Sequence, residues 1–237
     1  MVLLTRAVLV LLSVCGINCF NLSPNPNIII KDPAENVNKS SFFGFAVNLR
    51  HNSILIGAPK ATNNDSVLEE TGEIIKCEIT GLNCYPYKFH ANVNVKFQNT
   101  FFQSENNEYQ MLGSTMDGLG SENDKFVVCA PNLKNVDKGN HFYHVNGGCF
   151  LIQNSENPEN EENTQTPEVT DIMLTKKELN QSHKKKSNHK YAQQGFSVHV
   201  TENNEEIIMG APGVYQWSGM LMFSHNLICN NRDSIQL

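Results

Sequence analysis

The stretch IIMGAPGVYQWSGMLMF, residues 207–223, contains two short apolar runs separated by a Gly-Ala-Pro-Gly corner and three aromatic or amide residues. Short apolar runs bounded by Gly and Pro predict β-strands. The stretch therefore predicts a strand, a sharp turn, a loop tip and a return strand. Tyr215, Gln216 and Trp217 lie at the tip, and loops that display aromatic residues between strands often form recognition surfaces.

The pattern that leads into this loop occurs three times. Each unit has a glycine motif, then an apolar strand that ends in a small residue, Ala and Pro, and finally a strand led by Gly. The glycine motifs are FFGFAVNL (42–49), MLGSTM (111–116) and QGFSVHV (194–200), and the corners are ILIGAPK (54–60), FVVCAPN (126–132) and IIMGAPG (207–213). Such long units of short strands, without helical periodicity, predict β-propeller blades rather than solenoid turns. We therefore expect an all-β chain of four-stranded antiparallel blades that form an incomplete ring.

Composition and the N-terminus restrict the class of protein. A net charge of −6 disfavours a nucleic-acid partner, which would select a basic face. Arg6 precedes a short apolar run, which predicts a secretory signal peptide over residues 1–19. No later segment is predicted to span a membrane, so this chain alone is expected to be secreted or lumenal in the endoplasmic reticulum. No nucleophile elbow, phosphate-binding loop or paired catalytic carboxylates are found, so no enzymatic activity is expected.

The cysteines and asparagines fit an extracellular chain. Cys77 and Cys84 form one local pair and Cys129 and Cys149 another, which predicts two disulfides in an oxidising compartment, with Cys229 left over. The thiolate spacing does not suit a metal site, and His141 and His144 are expected to face solvent rather than to bind a metal. Asn-x-Ser sequons predict glycosylation at four positions, which are Asn21, Asn38, Asn64 and Asn180.

The repeated glycine and Ala-Pro motifs, with the two cysteine spacings, resemble the first three blades of the FG-GAP β-propeller at the N-terminus of integrin α subunits, in a style resembling invertebrate members. The resemblance implies seven segments along the chain. They are a signal peptide (1–19), an N-terminal strand and lead-in (20–41), a first repeat (42–104), a second repeat (105–153), a polar insert loop (154–190), a partial third repeat (191–223) and a divergent tail (224–237). The family propeller has seven blades, and its calcium-binding loops belong to later blades. The resemblance thus implies no metal or other cofactor in this chain, and the acidic DGLGSEND (117–124) is expected to be a turn.

The resemblance also implies partners and site residues. Phe42, Phe45 and Met111 would contact an integrin β subunit at the top of the propeller. The loop with Tyr215, Gln216 and Trp217 would bind an extracellular-matrix protein. The implied function is cell-matrix adhesion and signalling at the cell surface. There are two alternatives. One is a secreted truncated propeller fragment with a binding or decoy role, and the other is an enzyme that carries such repeats. The lysines at 184–186 would repel arginine, so the α chain is not expected to read Arg-Gly-Asp.

Overall fold

The computed structural model of the chain describes residues 28–33, 39–62, 69–87, 102–103, 108–137, 142–154, 167–172, 188–202 and 206–225. The chain divides into two compact units, Met1–Lys31 and Asp32–Leu237, and the elements below all belong to the second. Several predicted features lie outside the described residues. They are the signal peptide, Cys229, His141, the lysines at 184–186 and the glycosylation sites Asn21, Asn38, Asn64 and Asn180.

The described secondary structure consists almost entirely of short strands, as the sequence predicts. In chain order they are β1 Ala46–Leu49, β2 Ser53–Ala58, β3 Glu73–Glu78, β4 Cys84–Pro86, β5 Phe102–Gln103, β6 Thr115–Gly118, β7 Phe126–Ala130, β8 Lys134–Asp137, β9 Phe142–Val145, β10 Gly148–Asn154, β11 Pro167–Ile172, β12 Ser197–Val200, β13 Glu206–Ala211 and β14 Met220–His225. One short turn, α1, covers Val214–Trp217, and its residues Tyr215 and Gln216 have left-handed rather than right-handed backbone angles. No helix among the described residues is long and apolar enough to cross a membrane.

These strands form antiparallel sheets that correspond to successive propeller blades. Blade 1 has the order β1-β2-β3-β4, blade 2 the order β6-β7-β10-β11, and blade 3 contains β12-β13-β14. A smaller sheet, β5-β8-β9, contains the two strands that lie between β7 and β10 in the chain, and β5 pairs with β8 at its edge. The predicted architecture of consecutive four-stranded blades is therefore present, with three described strands in blade 3.

The segment expected to be a polar insert loop, 154–190, contains a strand. β11 pairs with β10 over six residues, from Asn154↔Pro167 to Cys149↔Ile172. It supplies the outermost strand of blade 2 and pairs backbone groups that would otherwise form an open sheet edge. The expectation of a loop is thus wrong for Pro167–Ile172. Similarly, His144, expected to face solvent, is buried on β9, with 4% of its surface exposed.

The glycine motif adopts the same turn in all three repeats. Its glycines have positive φ angles of 89°, 86° and 84° at Gly44, Gly113 and Gly195. Each glycine N–H donates to a carbonyl at the end of the neighbouring strand, and the distances are 3.0–3.1 Å to Gly57, Cys129 and Gly210. A residue with a side chain is strained at such φ values, which explains why glycine recurs here.

Two apolar clusters join the blades. One packs Leu55 and Ile74 of blade 1 with blade 2 residues that include Phe126 and Phe150. The other packs Cys129, Cys149 and Leu151 of blade 2 with Ile207 and Met209 of blade 3. Burial of this apolar area is the main favourable term that holds successive repeats together.

Both predicted disulfides are present, and each links residues directly opposite in neighbouring strands. Cys77 bonds to Cys84 across β3 and β4, and Cys129 bonds to Cys149 across β7 and β10. The second disulfide is fully buried. It lies directly beneath Gly195 of the next repeat, where an added Cβ would come within 2.5 Å of both Cys129 and Cys149.

The acidic stretch 117–124 contributes hydrogen bonds between blades. The carboxylate of Glu122 accepts hydrogen bonds from the Ser53 hydroxyl at 2.8 Å and from Lys76 Nζ at 3.1 Å. Burial acts to raise the pKa of Glu122, but the hydrogen bonds from Ser53, Lys76 and the Asn52 backbone outweigh it, so the pKa lies below its ordinary value. Asp117 makes the corresponding contact to blade 3, where it accepts from the Val200 N–H at 2.9 Å.

Candidate ligand-binding loop and adjoining cavity

The loop after the third Ala-Pro corner is anchored at its start and closed by a backbone hydrogen bond between its two ends. Val214 is completely buried at its start. The Tyr215 N–H donates to the Asn188 carbonyl at 2.9 Å, and the Gly219 N–H donates to the Val214 carbonyl at 3.1 Å. Gly213 enters the loop with an ordinary φ of −85°, but a Cβ there would lie 1.6 Å from the Tyr191 carbonyl oxygen. Close approach to the backbone therefore requires glycine at 213.

The tip of this loop is a left-handed turn without glycine. The φ angles of Tyr215, Gln216 and Trp217 are 53°, 60° and 71°. Left-handed helical conformation costs roughly 1–2 kcal/mol for each residue with a side chain. Backbone strain of this kind is concentrated at binding and catalytic sites, where the surrounding structure maintains it. The left-handed conformation of this turn cannot be predicted from the sequence, because the residues VYQW include no Gly or Asn.

The three candidate residues at the tip have different environments. Tyr215 packs partly against the core of blade 3, and its ring lies 5.8 Å from that of the buried His189. Gln216 is exposed, and 66% of the Trp217 surface is accessible to solvent. Gln216 and Trp217 are therefore available to a ligand, whereas Tyr215 supports the turn from below.

Trp217 borders a cavity of about 250 Å³ between repeats 2 and 3. Two further aromatic rings line this cavity, those of Tyr109 and Tyr191. Both tyrosines stand four residues before the motif glycine of their repeat, Gly113 and Gly195 respectively. This shared position in consecutive repeats is the sequence feature that could have identified Tyr109 and Tyr191 as lining residues.

The polar lining of the cavity carries a positive charge. Lys134 Nζ lies 5.6 Å from the centroid of the Tyr109 ring, and no carboxylate within the described part of the chain forms an ion pair with it. Gln193 donates from Nε2 to Asn132 Oδ1 at 3.2 Å. The Tyr109 hydroxyl donates to the Glu69 carboxylate, and this hydrogen bond raises the pKa of Tyr109.

The residues expected to contact a β subunit lie on the glycine turns. Phe42 and Phe45 are 41% and 55% exposed, and their rings stack with centroids 6.3 Å apart. Lys60 Nζ lies over the Phe42 ring, 4.8 Å from its centroid. Met111 occupies the same position in the second turn as Phe42 in the first, with φ angles of 60° and 58°, and it is half-buried.

Comparison with known proteins relates the chain to integrin α subunits. No family model matches it. It is 30% identical over 216 residues to Integrin alpha-PS3 of Drosophila melanogaster, a match that covers 87% of this chain and 19% of that protein. It is 29% identical over 210 residues to Integrin alpha-PS5 of the same species, covering 85% and 19% of the two chains. It is also 26% identical over 190 residues to Integrin alpha-V of Gallus gallus, covering 78% and 16%.

The chain spans about a fifth of the length of the curated relatives first matched, with 19% of each covered. The similarity extends over most of this chain and agrees with its repeated glycine turns and antiparallel blades. The chain is therefore an integrin α-type sequence that corresponds to the N-terminal region of such a subunit.

Proposed function

We propose that the chain forms part of the head of a cell-surface adhesion receptor, which binds an extracellular-matrix protein together with an integrin β subunit. The proposal assigns no catalytic step to the chain. The observation that carries it is the strained, solvent-exposed turn at Gln216 and Trp217, which borders an aromatic cavity between two repeats.

The turn has the physical properties of a recognition element. Val214 and the hydrogen bond from Tyr215 to Asn188 hold its backbone in place before a ligand arrives. A prearranged loop loses little conformational entropy on binding, so more of the contact free energy contributes to affinity. Tryptophan and tyrosine are also enriched among the residues that dominate binding energy. These features support a binding role for Trp217 and Gln216.

We expect Trp217→Ala, in the receptor on the cell surface, to weaken adhesion to the native matrix ligand by about tenfold or more, since truncation of a dominant interface residue costs about 2 kcal/mol or more. Gln216→Ala should weaken adhesion by a smaller factor. The measurement is the matrix coating density required for half-maximal cell attachment, with receptor surface level determined by antibody.

Tyr85→Ala is the matched control, because Tyr85 is also an exposed aromatic residue but lies on β4 of blade 1. It should leave adhesion unchanged. The binding proposal for the turn fails if Trp217→Ala and Tyr85→Ala receptors attach equally well at equal surface levels.

The contact with a β subunit is proposed at Phe42 and Phe45. Their stacked, exposed rings offer faces to a cation, and a cation–π contact contributes roughly 0.5–2 kcal/mol. Lys60 already covers the Phe42 face and also pairs with Glu70 at 3.7 Å. A basic side chain of the β subunit would therefore have to displace Lys60.

Two variants of opposite expected effect test this contact. Phe42→Ala combined with Phe45→Ala should reduce co-precipitation of the β subunit several-fold, because the ring faces are lost. Lys60→Met should increase it, since a competing cation is removed while an apolar side chain of similar length remains. Unchanged recovery of the β subunit with both variants, at equal amounts of folded chain, would exclude these rings from the interface.

A further inference from the structure

We infer that the cavity between repeats 2 and 3 binds an aromatic side chain of the matrix ligand, with an adjacent acidic residue of that ligand paired to Lys134. The inference rests on the proposed adhesion function, and it specifies the chemistry of the ligand. It follows from the size of the cavity, its walls and its charge.

The volume suits one large side chain. At about 250 Å³ the cavity is smaller than the roughly 300–1,000 Å³ of sites that enclose drug-sized molecules. It is larger than the approximately 150 Å³ cavity that admits a benzene molecule. The site therefore has room for a phenyl or phenol ring.

The walls favour an aromatic occupant. Tyr109, Tyr191 and Trp217 present rings from both repeats, and Val145 adds apolar surface. An aromatic pair contributes about 0.5–1.5 kcal/mol beyond simple burial of area. All three rings are partly exposed without a ligand, so the insertion of a ring removes existing apolar surface from water.

The positive charge of Lys134 indicates which type of ligand residue would lie next to the aromatic side chain. Lys134 lies at the cavity over Tyr109 and forms no ion pair with a carboxylate in the described part of the chain, whereas Lys60 of blade 1 is paired with Glu70. No carboxylate is among the described lining residues, although Glu69 accepts a hydrogen bond from the hydroxyl of Tyr109. A ligand carboxylate placed beside Lys134 would find a complementary cation, and a ligand arginine or lysine placed there would meet a like charge.

Binding at this site can be followed by tryptophan fluorescence, because Trp217 is the single tryptophan of the chain. The probe is acetyl-Asp-Phe-amide, which contains no tryptophan, titrated into the intact chain at low concentration while the emission of Trp217 is recorded. We expect a saturable change in emission with a Kd of about 1 mM or below, as is reasonable for so small a ligand.

Two comparison peptides separate the contributions of ring and charge. Acetyl-Asp-Ala-amide, which lacks the ring, should bind about tenfold more weakly. Acetyl-Lys-Phe-amide, which reverses the charge, should bind about fivefold more weakly or worse. Equal affinity for the Asp-Phe and Lys-Phe peptides would overturn the role assigned to Lys134, and equal affinity for Asp-Phe and Asp-Ala would overturn the aromatic cavity.

The variants test the same two contributions from the side of the protein. Lys134→Met retains an apolar side chain over Tyr109 and should weaken Asp-Phe binding about fivefold, and Lys134→Glu should reverse the preference between the Asp and Lys peptides. Lys190→Met is the matched control, because Lys190 is exposed beside Tyr191 but does not line the cavity. It should leave the titration unchanged, and equal losses for Lys134→Met and Lys190→Met would contradict the inference.

Failure of this inference can be distinguished from failure of the proposed function. If Trp217→Ala abolishes adhesion but the Asp-Phe peptide does not alter Trp217 emission, the adhesion role stands and the ligand chemistry inferred here is wrong. If the peptide binds with the expected charge preference but adhesion is unaffected by Trp217→Ala, the cavity is a genuine peptide site and the adhesion role of the loop is wrong.

Discussion

Gly195→Ala is expected to lower the free energy of unfolding by about 2–5 kcal/mol, and Gly44→Ala by only about 1–2 kcal/mol. Both glycines occupy the same position of the repeat motif, with φ angles of 84° and 89°, so an alanine would suffer the same left-handed strain at either site. Only at Gly195 would the new Cβ also overlap Cys129 and Cys149, at 2.5 Å, whereas at Gly44 it would meet no atom within 4 Å. The difference reports the packing of blade 3 on the disulfide of blade 2.

This comparison is made by denaturant unfolding of the secreted chain or, if unfolding is not reversible, by the yield of secreted protein for the two variants. Because strain is matched, the comparison isolates the contact between repeats. Equal losses at Gly44 and Gly195 would mean that blade 3 does not approach blade 2 as closely as the structure shows.

Removal of the buried disulfide is the second large effect. Cys129→Ala with Cys149→Ala should destabilise the chain by about 3–5 kcal/mol, and Cys77→Ala with Cys84→Ala by about 2 kcal/mol. The first pair closes a longer segment, with separations of 20 and 7 residues respectively. It also lies inside the cluster between blades 2 and 3, so its loss leaves a cavity there. Cys84, in contrast, is partly exposed.

The yield of folded, secreted chain and the denaturant midpoint measure this difference for the two double variants. The Cys77–Cys84 pair serves as the control, since its removal eliminates a disulfide without opening the contact between repeats. A larger loss from Cys77 and Cys84 than from Cys129 and Cys149 would contradict the packing described here.

The repeats and disulfides could be predicted from the sequence because local chemistry determines them. A motif glycine with a positive φ angle leaves a recognisable residue in each unit, as at Gly113 and Gly195. Likewise, the short separation of Cys129 and Cys149 in the sequence indicated a local disulfide. The structure places the two residues opposite each other in neighbouring strands.

Features that depend on distant residues were not predictable in this way. β11 lies in a polar segment, and its pairing with the edge of β10 depends on register rather than on composition. The cavity joins Tyr109 to Tyr191 and Trp217 only because consecutive repeats lie side by side. The left-handed turn at Gln216 is imposed by its fixed ends, since the residue itself carries no preference for that conformation.

The most direct test of the central claim is to isolate this chain from the surface of cells that express it and to determine what accompanies it. We expect an integrin β subunit to be recovered in equal molar amount, and the isolated complex to bind extracellular matrix. Recovery of the chain alone, either at the surface or in the medium with no β subunit bound, would contradict the proposal that it acts as an adhesion-receptor α subunit.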